Sequence, residues 1–309
     1  MPVSAMPVAA GRSDLLQTHL KGFTRLLRGL EQGEVRNIHR ARVASRRLRE
    51  LVPILQVDPH LARKLSRRLR KVTVRLGSVR ELDVLLQLIH ELTGAHRELS
   101  DPLSRVAIAV SKARDDARGE LSDELPIRDM RRLAKRLATL SDELAQSDRS
   151  RVARKRQQRC RWAVDARVAR RAQQLHTALS EAGTVYLPER LHTVRIAVKK
   201  LRYAAELAVD TGGRATEADV RLFTRYQTIL GRMHDREVLI DQVRHVQATL
   251  APPNLAAWRA LDRLKTSVDA DCRRLHARFV RGSRALAVTA ARLAGADPAH
   301  ASRSTRRAG

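Results

Sequence analysis

The sequence predicts an all-α protein, and three observations support this prediction. Apolar residues recur at helical spacing along nearly the whole chain, and no segment alternates as a half-buried strand does. Of the 309 residues only eight are aromatic, so the core must consist mainly of Leu, Val, Ile and Ala, which suits helices better than sheets. Glycine and proline residues lie between many of the periodic segments, where they are expected to end helices.

The helices can be assigned in order along the chain. The first begins at Ser13 or Asp14, and Gly33 is expected to end it. The second runs from about Glu34 toward Pro53, because proline interrupts helical hydrogen bonding. Further helices are expected near residues 60–76, 79–93, 101–119, 126–147, 150–182, 187–210, 216–231, 235–250 and 254–293. The expected breaks between them are Gly94, Pro102, Pro126, Gly183, Pro188, Gly212-Gly213 and Pro252-Pro253.

The chain is strongly basic, with 61 Lys and Arg against 33 Asp and Glu and a formal net charge of +28. Two segments, IHRARVASRRLREL and LHTVRIAVKKLRYA, repeat one cationic pattern. On a helix, positions i, i+3, i+7 and i+10 fall within about 80° of each other. The first basic stripe is therefore His39, Arg42, Arg46 and Arg49, with Arg47 beside it. The second basic stripe is His192, Arg195, Lys199 and Arg202, with Lys200 beside it.

These stripes predict a polyanion site. Arginine pairs bidentately with phosphate and carboxylate groups. The alternative is the solvated face of an ordinary bundle helix, where acids normally alternate with bases. The second stripe contains no acid until Glu206, which is expected to pair with Arg202. Like charges at i and i+4 disfavour a helix by roughly 0.2–0.5 kcal/mol per pair. Because the uncompensated stripe occurs twice despite this cost, we interpret it as a binding surface and not as a device for solubility alone.

The stripes belong to a longer repeat. LGSVRELDVLL at 76–86 aligns with LGRMHDREVLI at 230–240, which predicts two pseudo-symmetric halves at about 13–147 and 148–295. The matched pairs are Gly77 with Gly231, Glu81 with Asp235, and Asp83 with Glu237. These four acids are expected to pair with nearby arginines or to lie at helix starts. Four further, weaker candidate ligands lie at matching positions in the segment between each stripe and its matched glycine. They are Arg67 and Lys71 in the first half, and Arg221 and Arg225 in the second.

The doubled motif His-x-x-Arg-x-x-x-Arg/Lys-Arg/Lys-Leu-Arg, with LGSVRELDVL after its first copy, resembles the CHAD family (conserved histidine α-helical domain) over about residues 13–295. The resemblance implies two four-helix bundles with a basic groove or pore between them. It also implies binding of inorganic polyphosphate and recruitment to polyphosphate granules in the cytoplasm. Residues 1–12 and 296–309 are expected to be disordered tails, the second of them basic.

Polyphosphate suits the stripes chemically, because it offers a dense row of charges and no base or apolar surface. No cofactor and no metal ion is expected. His39 and His192 have an ordinary pKa of about 6.5. Each could donate to a bound phosphate when protonated, or could instead position its neighbouring arginines, and both roles stay open.

Three alternatives follow from the same residues. The strongest alternative is a basic protein that binds DNA or RNA with little sequence specificity, but few aromatic residues are present and no recognition motif is found, so weak, salt-sensitive binding is expected as a side activity. Catalysis is not expected: His234-Asp235 looks like a metal-binding dyad, but Arg80-Glu81 occupies the matching place in the first half. A scaffold role toward granule-associated proteins stays open.

No apolar segment is long enough for a membrane span, and the two cysteines, Cys160 and Cys272, favour a reducing cytosol.

Overall fold

The computed structural model describes residues 11–31, 34–149, 152–250 and 254–295. In this part of the chain nine α-helices and two short 3-10 segments form, without a strand, so the all-α prediction is confirmed. The helices are α1 (Arg12–Glu31), α2 (Val35–Leu51), α3 (Pro59–Ala95), α4 (Ser100–Glu124), α5 (Ile127–Ser147), α6 (Ala153–Ala182), α7 (Pro188–Asp210), α8 (Glu217–Ala248) and α9 (Leu255–Ala294). Gly33, Pro252-Pro253 and most of both predicted tails lie outside the described residues.

Two predicted helix breaks are wrong. The helices expected at 60–76 and 79–93 form the single helix α3, which continues through Gly77. Those expected at 216–231 and 235–250 likewise form the single helix α8, which continues through Gly231. A glycine inside a helix costs only about 1 kcal/mol relative to alanine. The rows of buried apolar residues on both sides of each glycine outweigh this cost.

The observed helix ends follow from local chemistry. α2 ends at Leu51, and the chain continues through the 3-10 segment Val52–Ile54, which contains Pro53 as predicted. The carboxylate of Asp58 then caps α3 by accepting a hydrogen bond from the backbone N–H of Leu61. α1 begins at Arg12, whose side chain is buried and donates to the carbonyl oxygen of Leu55 at 2.8 Å. The start of α1 is thus fixed to the end of the 3-10 segment that follows α2.

The helices pack differently in the two halves. In the second half, α6, α7, α8 and α9 pack in sequence and α9 returns to α6, which closes a four-helix bundle. In the first half α1 to α4 also pack in sequence, but α5 packs on α1, and the described parts of α1 and α4 make no extensive contact. The first half therefore contains five helices, not the four of the implied bundle, and the helix that packs on α1 is α5 and not α4. That the halves arose by duplication stays a prediction.

The two halves share one continuous apolar core, to which every α-helix contributes. Between the halves, α4 contacts α8 and α9, α3 contacts α8, and α2 contacts α7. The two helices that carry the basic stripes therefore lie next to each other at the centre of the molecule.

Candidate functional site

A groove of about 440 Å³ opens where α2, α3 and α7 meet. Both basic stripes reach it, although they lie 153 residues apart in the chain. Its cationic lining consists of Arg42, Arg46, Arg49, Lys199 and Lys200. Because three of these side chains come from the first half and two from the second, the groove exists only when the halves are assembled. We refer to this feature as the central groove.

Arg46 lies at the base of the central groove and connects the two halves. Its side chain is only 8% exposed, and its Nη1 donates a hydrogen bond to the Oη atom of Tyr203 on α7 at 3.3 Å. Its guanidinium also lies 5.5 Å from the centroid of the Tyr203 ring. Tyr203 directly follows the last arginine of the second stripe, and the structure places it in the lining of the groove.

The cations of the groove lie close enough to repel each other. Burial, followed by the charges of Arg46 and Arg195, lowers the pKa of Lys199 from 10.5 to about 7. Burial and Arg46 likewise lower the pKa of Arg42 to about 10. Arg195 does not line the groove, but its charge acts on both residues. An anion that entered the groove would relieve this repulsion.

Glu81 on α3 partly offsets the positive charge at the groove. Its Oε1 lies 3.7 Å from Nη2 of Arg42, and its side chain is 70% exposed. Its carboxylate also favours the charged forms of Arg195 and Lys199. In the second half the matching Asp235 favours the charged form of Arg195 in the same way. The prediction that Glu81 pairs with a nearby arginine is confirmed.

Gly77 provides the space in which the side chain of Arg42 lies. A Cβ atom added at Gly77 would lie 3.3 Å from Nε of Arg42, which is closer than ordinary van der Waals contact. This Nε is itself buried without a hydrogen-bond partner. An alanine at Gly77 would therefore require the guanidinium of Arg42 to shift by a few tenths of an ångström.

Arg202, the last residue of the second stripe, does not line the central groove. Its Nε donates to Oε1 of Gln227 on α8 at 2.8 Å, and its Nη1 forms a short ion pair with Glu206. Its guanidinium also stacks over the ring of Tyr203, 4.4 Å from the centroid. The predicted pair between Arg202 and Glu206 is confirmed, and it shows why this arginine is held away from a ligand.

The two histidines also lie outside the lining of the central groove. The ring of His192 packs against that of His234, with 4.9 Å between their centroids. His39 is exposed and borders a second cavity. Burial, followed by the charge of Arg80, lowers the pKa of His39, and burial followed by His234 lowers that of His192. Both imidazoles are therefore mainly neutral at pH 7 in the free protein, and their two possible roles stay open.

The second cavity, of about 900 Å³, lies between α1, α2 and α7. It is larger than the central groove, but its lining mixes charges. Its basic residues are His19, Arg25, His39, Arg40 and Arg47, and its acids are Glu50, Glu206 and Asp210. Arg47, a predicted ligand, lies 3.5 Å from Glu206 here. The second cavity has three arginines against these three acids, whereas the central groove has five Arg and Lys residues against two acids, so the central groove is the better candidate site for a polyanion despite its smaller volume.

The four weaker candidates are exposed and line neither cavity: Arg67, Lys71, Arg221 and Arg225. Lys71 lies three residues before Val74, which lines the central groove, so the two share one side of α3. Lys71 therefore extends the basic surface beyond the groove. Arg221 instead forms an ion pair with Glu217 at 3.3 Å on the surface of α8.

The described residues contain no group of three or more His, Cys, Asp or Glu side chains that could hold a metal ion. None of their helices combines the length and the apolar character that crossing a membrane requires.

Comparison with known proteins identifies the fold. The family model of the CHAD domain matches residues 14–244. The CHAD domain from the plant Ricinus communis is 20% identical, with a TM-score of 0.55, over 90% of this chain and 96% of that one. PptA from Streptomyces chartreusis is 18% identical, with a TM-score of 0.59, over 90% of this chain and 97% of that one. These identities show a shared fold alone. Among curated proteins no match was found.

Proposed function

The chain belongs to the CHAD domain family, and we propose that it binds inorganic polyphosphate in the central groove. The observation that carries this proposal is the convergence of five cationic side chains from both halves on one groove. Of the two acids that border it, Glu50 is nearly buried and is paired with Arg167 and, at 3.6 Å, with Arg49, and only Glu81 is well exposed. The groove therefore keeps an excess of positive charge for an incoming anion.

The arrangement of the cations favours a chain of phosphates over an isolated one. Arg42, Arg46 and Arg49 follow each other at four and three residues, so their backbones rise by about 6 and 4.5 Å along α2. Lys199 and Lys200 face them from α7. A linear polyanion could contact several of these side chains at once, and arginine can hold two phosphate oxygens together. Each contact after the first would occur at high effective concentration.

The lining disfavours nucleic acid as the main ligand of the groove. Tyr203 is its only aromatic residue, and this side chain is 4% exposed. A base would find no open aromatic face on which to stack, although stacking contributes about 1–3 kcal/mol per base to single-strand binding. We propose nucleic-acid binding in the groove only as a weaker activity, driven by charge and sensitive to salt.

Binding without hydrolysis is part of the proposal. The two hydroxyl side chains of α3 in the groove are engaged, because Thr73 donates to the carbonyl of Leu69 and Ser78 to that of Arg75. Purified protein incubated with long-chain polyphosphate and Mg²⁺ or Mn²⁺ is expected to leave the chain length unchanged on a gel. Shortened chains would contradict this part. Association with polyphosphate granules is proposed as a consequence of binding.

The direct test is competition for fluorescent long-chain polyphosphate at about 0.15 M salt, where exposed charges are screened beyond about 8 Å. Unlabelled polyphosphate is expected to compete far better than duplex DNA, single-stranded RNA or triphosphate at equal phosphate concentration. Equal competition by DNA or RNA would mean that the groove acts only as a basic surface.

A matched pair of variants separates the groove from net charge. Arg42→Glu with Arg195→Glu is expected to reduce polyphosphate affinity by about 100-fold or more, because charge is reversed at two clustered positions. Arg105→Glu with Arg132→Glu makes the same charge change on α4 and α5, away from the groove lining, and is expected to have little effect. Circular dichroism should show unchanged helicity in both. Equal losses would refute the assignment of the groove.

A further inference from the structure

The first half of α6 carries a second basic surface, separate from the central groove. Six exposed side chains form two rows at i, i+4 and i+7 along the helix. The rows are Arg154, Gln158 and Arg161, and Lys155, Arg159 and Trp162. We refer to these six residues as the α6 outer face. None of them lines either cavity.

The α6 outer face points to solvent because the opposite side of the helix is fixed in the core. Cys160, Val164 and Val168 are buried, and α6 packs against α7 and α9. The indole of Trp162 is 61% exposed, although tryptophan normally buries most of its surface. An exposed indole among cations is therefore available for a contact with another molecule.

The charges of the α6 outer face are uncompensated. Among the described residues, no carboxylate forms an ion pair with its four cations, Arg154, Lys155, Arg159 and Arg161. The neighbouring Arg167 is instead paired with Glu50. Asp165, the one acid between residues 152 and 180, accepts a hydrogen bond from the backbone N–H of Arg214 at 2.9 Å. The face thus presents four free positive charges around one aromatic ring.

We propose that the α6 outer face binds single-stranded nucleic acid, with phosphates on its cations and a base stacked on Trp162. Proteins that bind single strands usually combine cations, which contact the phosphate backbone of the nucleic acid, with an aromatic ring on which a base stacks. The amide of Gln158 adds a donor and an acceptor for a base edge. The rows span about 10 Å, so the footprint is short and affinity should fall with salt with a logarithmic slope of about −3.

Two other partners fit this face less well. Polyphosphate would use the cations but has no ring to stack on the indole. A helix that lies on a membrane needs a broad apolar face beside its basic one. Here Trp162 is the only large apolar side chain among the six residues. The exposed indole therefore favours a ligand with both phosphates and aromatic bases.

Tryptophan fluorescence tests the proposal directly. The chain contains two tryptophans, so Trp258→Phe leaves Trp162 as the only one. Titration of this variant with a short single-stranded oligothymidine is expected to quench the emission, because a base stacks on the indole. Polyphosphate of equal total charge should leave the emission nearly unchanged. No quenching by the oligonucleotide, or equal quenching by polyphosphate, would overturn the proposal.

Further variants and a vesicle titration separate this surface from the groove and from lipid. In the same background, Arg154→Gln with Arg159→Gln and Arg161→Gln should weaken oligonucleotide binding at least tenfold and change polyphosphate binding little, because the central groove is the main polyphosphate site. Oligonucleotide binding should also survive Arg42→Glu with Arg195→Glu, and its loss there would place the oligonucleotide in the groove and refute the proposal. Phosphatidylserine vesicles should neither bind nor shift the emission to the blue. A blue shift would instead identify a membrane surface.

Discussion

The two basic stripes share one sequence pattern but hold their side chains differently. In the first stripe, Arg42, Arg46 and Arg49 all line the central groove. In the second, Lys199 lines the groove, whereas Arg202 is held by Gln227 and Glu206. The first stripe thus supplies three arginines to the site, and the second supplies lysines and a structural arginine.

The difference arises from residues outside the stripes. Tyr203 follows Arg202 directly, and Arg46 and Arg202 both approach its ring, from α2 and from α7. Arg46 donates to the hydroxyl of Tyr203 while remaining in the lining of the groove. Arg202 stacks on the ring and continues to Gln227 on α8. A repeated motif therefore predicts that a site exists, but neighbouring helices decide which of its positions reach a ligand.

The last position of each stripe gives the largest contrast. Arg49→Ala should lower polyphosphate affinity about tenfold with a smaller change in stability, because Arg49 lines the groove and Glu50, its partner at 3.6 Å, keeps its shorter ion pair with Arg167. Arg202→Ala should lower the free energy of unfolding by about 1–3 kcal/mol, because Glu206 loses its short ion pair and Gln227 a hydrogen bond. Titration with polyphosphate and urea denaturation measure the two effects. Equal binding losses in both variants would contradict the proposed division of roles.

The sequence predicted the stripes because helical spacing and charge are local properties. It also predicted that α2 ends near Pro53 and that Arg202 pairs with Glu206. It did not reveal the contact between Arg46 and Tyr203, since these residues lie 157 positions apart. The wrong breaks after residues 76 and 231 have the same origin, because tertiary packing overrides a weak local preference. The predicted binding residues themselves await measurement.

The lysine of the second stripe should make binding depend on pH where the arginines of the first do not. Lys199 has a pKa lowered to about 7, so it loses its charge as the pH rises through neutrality. Bound phosphate favours the protonated form, and affinity should therefore fall above pH 7, by at most about tenfold per pH unit for one proton. Arg42, with a pKa of about 10, stays mainly charged between pH 7 and 9.

Binding titrations from pH 6.5 to 9 measure this dependence. Lys199→Arg should flatten it, because arginine keeps its charge. His39 and His192 have lowered pKa values, so they contribute only at the acidic end of this range. A profile that is unchanged in Lys199→Arg would show that another group takes up the proton.

The matched acids of the two halves should differ in their effect on affinity. Glu81→Gln removes an exposed carboxylate 3.7 Å from Arg42, so polyphosphate should bind roughly two- to fivefold more tightly. Asp235→Asn should change affinity less, because Asp235 acts on Arg195, which does not line the groove. Equilibrium titrations of both variants test this. A loss of affinity in Glu81→Gln would mean that Glu81 positions Arg42 and does not compete with the ligand.

The matched glycines give the smallest expected effects and the closest comparison of the halves. A Cβ added at Gly231 would meet nothing within 4 Å, whereas at Gly77 it would lie 3.3 Å from Nε of Arg42. Gly231→Ala should therefore raise the free energy of unfolding by about 0.5–1 kcal/mol and leave binding unchanged. Gly77→Ala should raise the free energy of unfolding by less than this. It should also weaken polyphosphate binding, because Arg42 must move. If both variants gained the same stability and kept full affinity, the position of Arg42 against Gly77 would not matter for binding, and the first stripe would tolerate more displacement than its dense packing suggests.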